Sequence, residues 1–420
     1  MVDVARIADA MIADDGIPLK VKLARATRHQ KLRALMLVAP LGIFILISFV
    51  WPIAMMLFRS VESPDFSIVM HRTTAALDNW DGKGIPGEPA WEALVKDLAE
   101  ARDNQTIGKA ATVVNYEMPA ARSLFTKSAR SAGKITAPPY KDALIAIDKG
   151  WDNPELWALM KRLAPPITMR FYVNAIDRQY DRDGNIARQV EERRIYLPLF
   201  WRTFVMSATV MLACLLLGYP VAYLLSVLPM RTSNLLMILV LLPFWTSLLV
   251  RTTAWIAMLQ TQGVINSLLV WAGIISDDQR IQLIFNATGT VIAMTHILLP
   301  FMILPLYSVM KTIPPSYMRA ARSLGANQIT AFTRVYMPQT LPGVGAGSLL
   351  VFILAIGYYI TPALVGGESG TLISNMIAYH MQRSLNWSLA AALASMLLGG
   401  VLLLYWIYNR LVGVDNVKLG

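Results

Sequence analysis

Six apolar windows constrain the fold of this chain more than any other feature of its sequence. The windows are 22 to 26 residues long and contain no Asp, Glu or Lys, although one includes Arg251 and another includes His296. Because a bilayer core is spanned by about 20 apolar residues in a helix, each window is long enough to cross a membrane once. The windows cover residues 34–58, 203–228, 235–257, 288–310, 343–364 and 388–409. We therefore predict an all-α membrane protein with six transmembrane helices.

The charged residues are scarce and unevenly placed, and both facts exclude a conventional soluble protein. They make up 15% of the chain, whereas soluble domains carry roughly 25%. Residues 59–198 hold 19 acidic and 20 basic side chains, so the rest of the chain holds 8 acidic but 18 basic ones. A basic excess between apolar windows is typical of cytoplasmic loops in membrane proteins. It does not indicate a nucleic-acid-binding protein, which presents a basic face on a soluble domain.

The basic loops also predict the orientation in the membrane. Six Lys and Arg residues lie within residues 20–33, directly before the first window, and the loop 311–341 has four Lys and Arg residues and no acidic residue. Short loops with such an excess stay in the cytoplasm. We therefore predict a cytoplasmic tail over residues 1–33, a first helix over 34–58, an extracytoplasmic insert over 59–199 and a core over 200–420. Both chain termini are predicted to be cytoplasmic.

The insert is predicted to be mainly helical. Residues 90–101 and 154–163 place apolar side chains at the three- and four-residue spacing of an amphipathic helix. The insert has no clustered Ser/His/Asp or Cys/His set, which argues against an enzyme or sensor whose chemistry lies in this region.

The end of the insert contains a polar turn with two interpretations. Asp181, Asp183, Asn185 and Glu192 occupy ligand offsets of a calcium-binding EF-hand loop. Ile186 stands where that motif needs glycine. We therefore favour a plain turn and expect no metal site in the chain.

The loop 311–341 is more regular than a connector needs to be. Ser316 is a suitable N-cap, residues 317–324 favour a short helix, and Gly325 can end that helix in the left-handed conformation. A second short helix is predicted over residues 327–336. Two short helices joined at a glycine in a basic loop favour docking to a partner protein on the cytoplasmic side.

The same loop resembles a family motif, the EAA loop of inner-membrane permeases of binding-protein-dependent ABC importers. The residues that carry the resemblance are Arg319, Ala320, Ala321, Gly325, Val335, Met337 and Pro338. Their spacing matches the pattern Glu-Ala-Ala-x3-Gly-x9-Ile-x-Leu-Pro throughout. Arg319 departs from the acidic residue of that pattern, and Val335 and Met337 depart from it mildly.

Flanking segments resemble one branch of that family, the spermidine/putrescine (PotB-type) permeases. These segments are residues 218–223, 242–251, 263–269, 299–307 and 360–367. The resemblance covers the first window and about residues 199–410. It leaves out the insert, which is not part of the usual pattern of these permeases.

The resemblance implies the type I ABC importer permease fold and a set of partners. The EAA loop of the family docks on an ABC ATPase dimer, which binds ATP and Mg. This chain has no phosphate-binding glycine loop, so we expect it to be a transport subunit without a cofactor or a catalytic residue. We also expect a second permease subunit in a different chain, a periplasmic binding protein, the lipid of a bacterial inner membrane and no nucleic acid.

The solute implied by the resemblance is a small cation or amine of the polyamine type. Relatives of this type also move amino-acid derivatives and opines, so these solutes stay open. An ion-coupled secondary transporter is the alternative from another class. Against it, the six windows contain no carboxylate that could carry a coupling proton.

A translocation path is expected to include Trp245, Arg251, His296, Tyr358 and Tyr359. Arg251 either faces a cavity or a partner, as charges within membrane helices do, or extends to the outer interface. His296 favours a packed, neutral side chain. Tyr358 and Tyr359 either offer aromatic faces to a cation or anchor the helix at the membrane interface.

Overall fold

A computed structural model describes residues 19–181 and 184–412, which are mainly helical. The chain divides into two compact units, residues 1–59 and 60–420. The predicted cytoplasmic tails include residues 1–18 and 413–420, and the calcium-type interpretation of the turn includes Asp183. These positions lie outside the described residues.

The first unit is helical throughout its described part. Helix α1 (Leu19–Ile45) continues through a π-helical segment (Leu46–Val50) into α2 (Trp51–Arg59). Within the segment Gln30–Arg59, a stretch of 18 residues has a mean hydropathy of 2.5, and the segment is long enough to cross a membrane. It contains the predicted first span, 34–58.

The insert is a helical bundle built around tryptophan. Its helices are α3 (Asp65–Val69), α4 (His71–Asp78), α5 (Glu88–Asp103), α6 (Ile107–Glu117), α7 (Ala121–Ala132), α8 (Tyr140–Ile147), α9 (Pro154–Leu163) and α10 (Arg170–Ala175), with 3-10 turns at Lys149–Asp152 and Glu191–Arg193. The side chains of Trp91, Trp151 and Trp157 are fully buried, and the rings of Trp91 and Trp157 lie 4.6 Å apart. Helices α5 and α9 confirm the two amphipathic segments predicted in this region.

A short hairpin interrupts the helices of the insert. Strand β1 (Arg178–Tyr180) pairs antiparallel with β2 (Ile186–Arg188). In the turn between them, Asp181 Oδ1 accepts a hydrogen bond from the Asn185 amide at 2.8 Å. No group of three or more His, Cys, Asp or Glu that could hold a metal ion occurs within residues 19–181 and 184–412.

The rest of the second unit contains the remaining helices. They are α11 (Tyr196–Val227), α12 (Met230–Leu241), α13 (Leu248–Leu259), α14 (Val264–Trp271), α15 (Ala287–Thr312), α16 (Pro315–Ser323), α17 (Gln328–Ala331), α18 (Met337–Gln339), α19 (Leu341–Gly357), α20 (Ile360–Val365), α21 (Ile373–Gln382) and α22 (Trp387–Val412). Helices α11, α15 and α19 pack against one another. Gly347 lets α19 approach α15 closely, because a Cβ atom there would lie 2.8 Å from Met302 Sδ.

Two of the predicted spans are wrong as single helices. The window 235–257 is divided between α12, a 3-10 turn (Leu242–Trp245) and α13, and the chain bends by 96° at this break. The window 343–364 ends early, because α19 stops at Gly357 and the short α20 follows. Within the described residues, four uninterrupted helices are long and apolar enough to span a membrane. Two bent pairs, Met230–Trp245 with Leu248–Trp271 and Gln328–Gln339 with Leu341–Gly357, raise the number to six.

Candidate functional site

The loop 311–341 forms a defined elbow at Gly325. Gly325 has a φ of +90°, which confirms the predicted left-handed conformation. Its amide donates to the Arg322 carbonyl at 2.9 Å, and the Ala326 amide donates to the Ala321 carbonyl at 3.1 Å. This pair of bonds is the Schellman motif that closes a helix C-terminus. The start of α16 differs from the prediction, since Pro315 occupies its first turn and Ser316 is not its cap.

The second helix of the loop is longer than predicted. Asn327 begins it, because its Oδ1 accepts a hydrogen bond from the Thr330 amide at 2.7 Å. Helix α17 then continues through a π-helical segment (Phe332–Tyr336) into α18, which ends at Gln339. The predicted end at residue 336 was therefore three residues early.

The outer surface of the elbow is apolar. Leu324 is 90% exposed and Ile329 is 75% exposed, one on each side of the turn. Of the predicted coupling residues, the exposed ones are Arg319, Ala320, Gly325, Met337 and Pro338, whereas Val335 is half-buried and Ala321 is buried. Large apolar side chains that extend fully into solvent are typical of a surface that a partner covers.

Four aromatic side chains attach the elbow to α11, and the sequence analysis missed them. Phe332 packs edge-on against Tyr223 at 5.3 Å and against Tyr219 at 6.4 Å between ring centroids. Tyr336 contacts Tyr223 at 5.3 Å and stacks on Phe332 at 5.5 Å. The sequence does contain a signal for these contacts: Tyr219 and Tyr223 are four residues apart, as are Phe332 and Tyr336, so each pair lies on one helix face. The contacts allow a force on the elbow to reach α11 directly.

A second region of interest surrounds the break between α12 and α13. A helix break leaves backbone carbonyls that need donors, above all where water is excluded. Arg251 supplies them: its Nη2 donates to the carbonyls of Pro243 and Thr246, the latter at 3.0 Å. Ser247 caps the start of α13 by accepting from the Val250 amide at 3.2 Å. The guanidinium therefore holds the bend, a role that the sequence analysis did not foresee.

Three of the predicted path residues come together near this break. Arg251 is close enough to His296 and to Tyr358 to interact electrostatically with each. Trp255 Nε1 donates a hydrogen bond to His296 Nδ1 at 3.1 Å. This bond needs an Nδ1 without a proton, which agrees with a neutral, packed histidine.

The end of α19 forms a second break beside the first. The carbonyl of Tyr358 accepts from Ser374 Oγ at 2.7 Å, and the carbonyl of Tyr359 accepts from Asn375 Nδ2 at 2.8 Å. Helix α20, which follows, contacts α13. Two interrupted helices with polar groups at their breaks thus meet in the apolar part of the chain.

Further polar contacts link the two breaks, and two predicted residues stay outside them. Thr252 and Thr361 are fully buried, and their hydroxyl oxygens lie 3.3 Å apart. The side chain of Trp245 is 75% exposed and that of Tyr359 is 39% exposed. Neither ring is therefore buried in the group around Arg251.

Comparisons with known proteins agree with the loop and the helix pattern. Residues 214–412 match the family described as "Binding-protein-dependent transport system inner membrane component". The chain is 37% identical to the spermidine/putrescine transport system permease protein PotB of Escherichia coli (strain K12), over 52% of this chain and 80% of that protein. It is also 37% identical to PotB of Haemophilus influenzae, over 54% of this chain and 78% of that one.

A solved structure gives a weaker likeness. One chain of a bacterial alginate ABC transporter, in complex with alginate pentasaccharide-bound periplasmic protein, is 17% identical, with a TM-score of 0.47. The match covers 55% of this chain and 82% of that chain. The family match begins at residue 214, so the insert lies outside it.

Proposed function

This chain belongs to the family of binding-protein-dependent transport system inner membrane components, as a PotB-type ABC importer permease subunit, and we propose that it passes a small amine into the cytoplasm. In this proposal both chain termini are cytoplasmic. A periplasmic binding protein delivers the solute, an ABC ATPase dimer binds ATP and Mg, and a second permease chain completes the path. Polyamines are the solute class that the names of the PotB relatives support.

The observation that carries this proposal is the elbow at Gly325. It presents exposed Leu324 and Ile329 beside a sharp turn, in a loop with four basic residues and no acidic one. An apolar tip within a basic surround fits a groove on a partner that has an apolar floor and an acidic rim. The ATPase is expected to provide that groove.

Arg319 determines which charge the ATPase must present to this part of the loop. It is exposed on α16, next to exposed Ala320, where the family motif has an acidic residue. A base on the ATPase would repel Arg319, whereas an acid would attract it. We therefore propose that the cognate ATPase presents a carboxylate to Arg319.

The two helix breaks support the path itself. Discontinuous helices are typical of substrate sites in transporters. The breaks at Thr246 and at Tyr358 lie next to each other, and Arg251 interacts with both regions. We propose that the solute passes between them, beside Arg251, His296 and Tyr358.

The test is ATP hydrolysis by the complete complex in lipid nanodiscs. The chain is reconstituted with its ATPase and second permease, and binding protein loaded with spermidine, putrescine or an amino-acid derivative is added. We expect the polyamines to stimulate hydrolysis most. Stimulation by the amino-acid derivative alone would replace the polyamine assignment, and the absence of stimulation by all of them would contradict the importer proposal.

A control uses the permease chain alone. It is expected to hydrolyse no ATP, because the sequence has no phosphate-binding loop. Specific ATP binding to the isolated chain would contradict the assignment of ATP to a partner.

A further inference from the structure

A cavity of about 730 Å³ lies where the insert meets the core helices. We call it the junction cavity. Helices α6, α9 and α10 and the hairpin form its insert side, and the start of α11, the end of α21 and the start of α22 form its other side. Its volume is within the range of small-molecule sites, about 300 to 1,000 Å³. The cavity is separate from the helix breaks around Arg251.

Two guanidinium groups share one carboxylate on the insert side of the junction cavity. Arg170 Nη1 lies 3.1 Å from Glu117 Oε1, and Arg162 Nη2 lies 3.5 Å from Glu117 Oε2. All three residues line the cavity. The trio carries two positive charges and one negative charge, so one positive charge is left uncompensated within it.

Arg170 is the buried member of this trio. The residue is 7% exposed, and its Nη2 donates to Ser63 Oγ at 2.8 Å. Its buried Nε has no hydrogen-bond partner among the described residues. Burial lowers the pKa of Arg170, and repulsion from Arg162 acts in the same direction. A buried cation with an unused donor is costly, and an anionic group in the cavity would offset that cost.

The lining also includes an acidic side chain and aromatic rings. Glu192 lines the cavity and is exposed, and Arg193 is its neighbour in the chain. Tyr180 and Tyr379 add aromatic rings to the lining. Carboxylates and aromatic faces are the groups that attract an ammonium.

We propose that the junction cavity binds a small solute that carries both a carboxylate and an amine, as an amino acid does. The carboxylate is held by Arg162, whose side chain is 29% exposed, and relieves the charge of Arg170 behind it. The ammonium is held by Glu192. This site is independent of the proposed transport function, because its occupancy needs no ATPase and no movement through the membrane.

The experiment is isothermal titration of the full chain in nanodiscs with three solutes of equal length. 4-Aminobutyrate carries one carboxylate and one amine, putrescine two amines and succinate two carboxylates. We expect 4-aminobutyrate to bind about tenfold or more tightly than either of the others, since each of them places one charge against its like. Equal or tighter binding of putrescine or succinate, or no heat from any solute, would overturn the proposal.

Variants place the binding in the junction cavity. Arg162→Gln should weaken 4-aminobutyrate binding about tenfold or more, and Arg162→Lys, which keeps the charge that faces Glu117, should weaken it less. Arg130→Gln is the matched control, because Arg130 is exposed on the insert and does not line the cavity. Unchanged affinity in both Arg162 variants would refute the site. If Arg162→Gln does not fold, Arg162→Lys alone decides.

Discussion

Substitution of Gly325 tests the elbow on which the coupling assignment depends. A Cβ atom at Gly325 would meet nothing within 4 Å, so the cost of Gly325→Ala comes from the backbone alone. A residue with a side chain at a φ of +90° loses about 1 kcal/mol relative to glycine. That cost corresponds to about fivefold weaker docking of the ATPase. Gly325→Val adds a β-branched side chain, for which we expect about 2 kcal/mol and about thirtyfold weaker docking.

The assay is ATPase affinity for the permease in nanodiscs, with solute-stimulated ATP hydrolysis as the second readout. Gly273→Ala is a matched control, because Gly273 also closes a helix, has a φ of +70° and has nothing within 4 Å of its Cβ position. It should have the same backbone cost without an effect on docking. The role of the elbow in docking would be refuted if Gly325→Val bound the ATPase as tightly as the original chain. It would also be refuted if Gly325→Ala and Gly273→Ala lost the same amount of ATPase affinity.

Three further predictions follow from other parts of the structure. Arg251→Met should lower stability in nanodiscs by about 2 kcal/mol, because two carbonyls at the break lose their charged donor. Arg251→Lys should restore part of this stability. An unchanged melting temperature of Arg251→Met would contradict the role of Arg251 in holding the bend. Burial lowers the pKa of His380 in the folded chain. Below a pH of about 6.5 the unfolded chain therefore binds more protons than the folded chain, and stability should fall as the pH drops. His380→Gln should reduce this fall in melting temperature with pH, and an unchanged pH dependence would contradict the prediction. Compartment reporters at Ser131 and Gln339 should report opposite sides of the membrane, and agreement between them would reject the topology.

The features that were predicted best from the sequence are those that depend on neighbouring residues alone. The elbow at Gly325 was predictable, because a helix end in the left-handed conformation selects glycine by its own backbone. Helices α5 and α9 of the insert were predictable from apolar spacing. The uninterrupted spans were predictable because length and composition alone define them.

The helix breaks were missed because hydropathy averages over a window. Residues 235–257 are predominantly apolar, and Pro243 and Ser247 are the local signals of a break. The role of Arg251 depends on that break, so the sequence alone does not predict which way its side chain extends. The junction cavity was out of reach for a different reason: Glu117 and Arg170 pair across 53 residues of chain, and such a contact follows from packing and not from a local pattern.

The most direct test of the coupling assignment is a thiol crosslink between Ala320→Cys and a cysteine in the groove of the ATPase. Cys214 is buried and does not compete, and Ala137→Cys, which is exposed in the insert, serves as the matched control. We expect a crosslink from position 320 and none from position 137, with a lower yield when Arg319→Glu is added. A lack of crosslinking from position 320, both with Arg319 intact and with Arg319→Glu, would contradict the assignment of this loop to the ATPase.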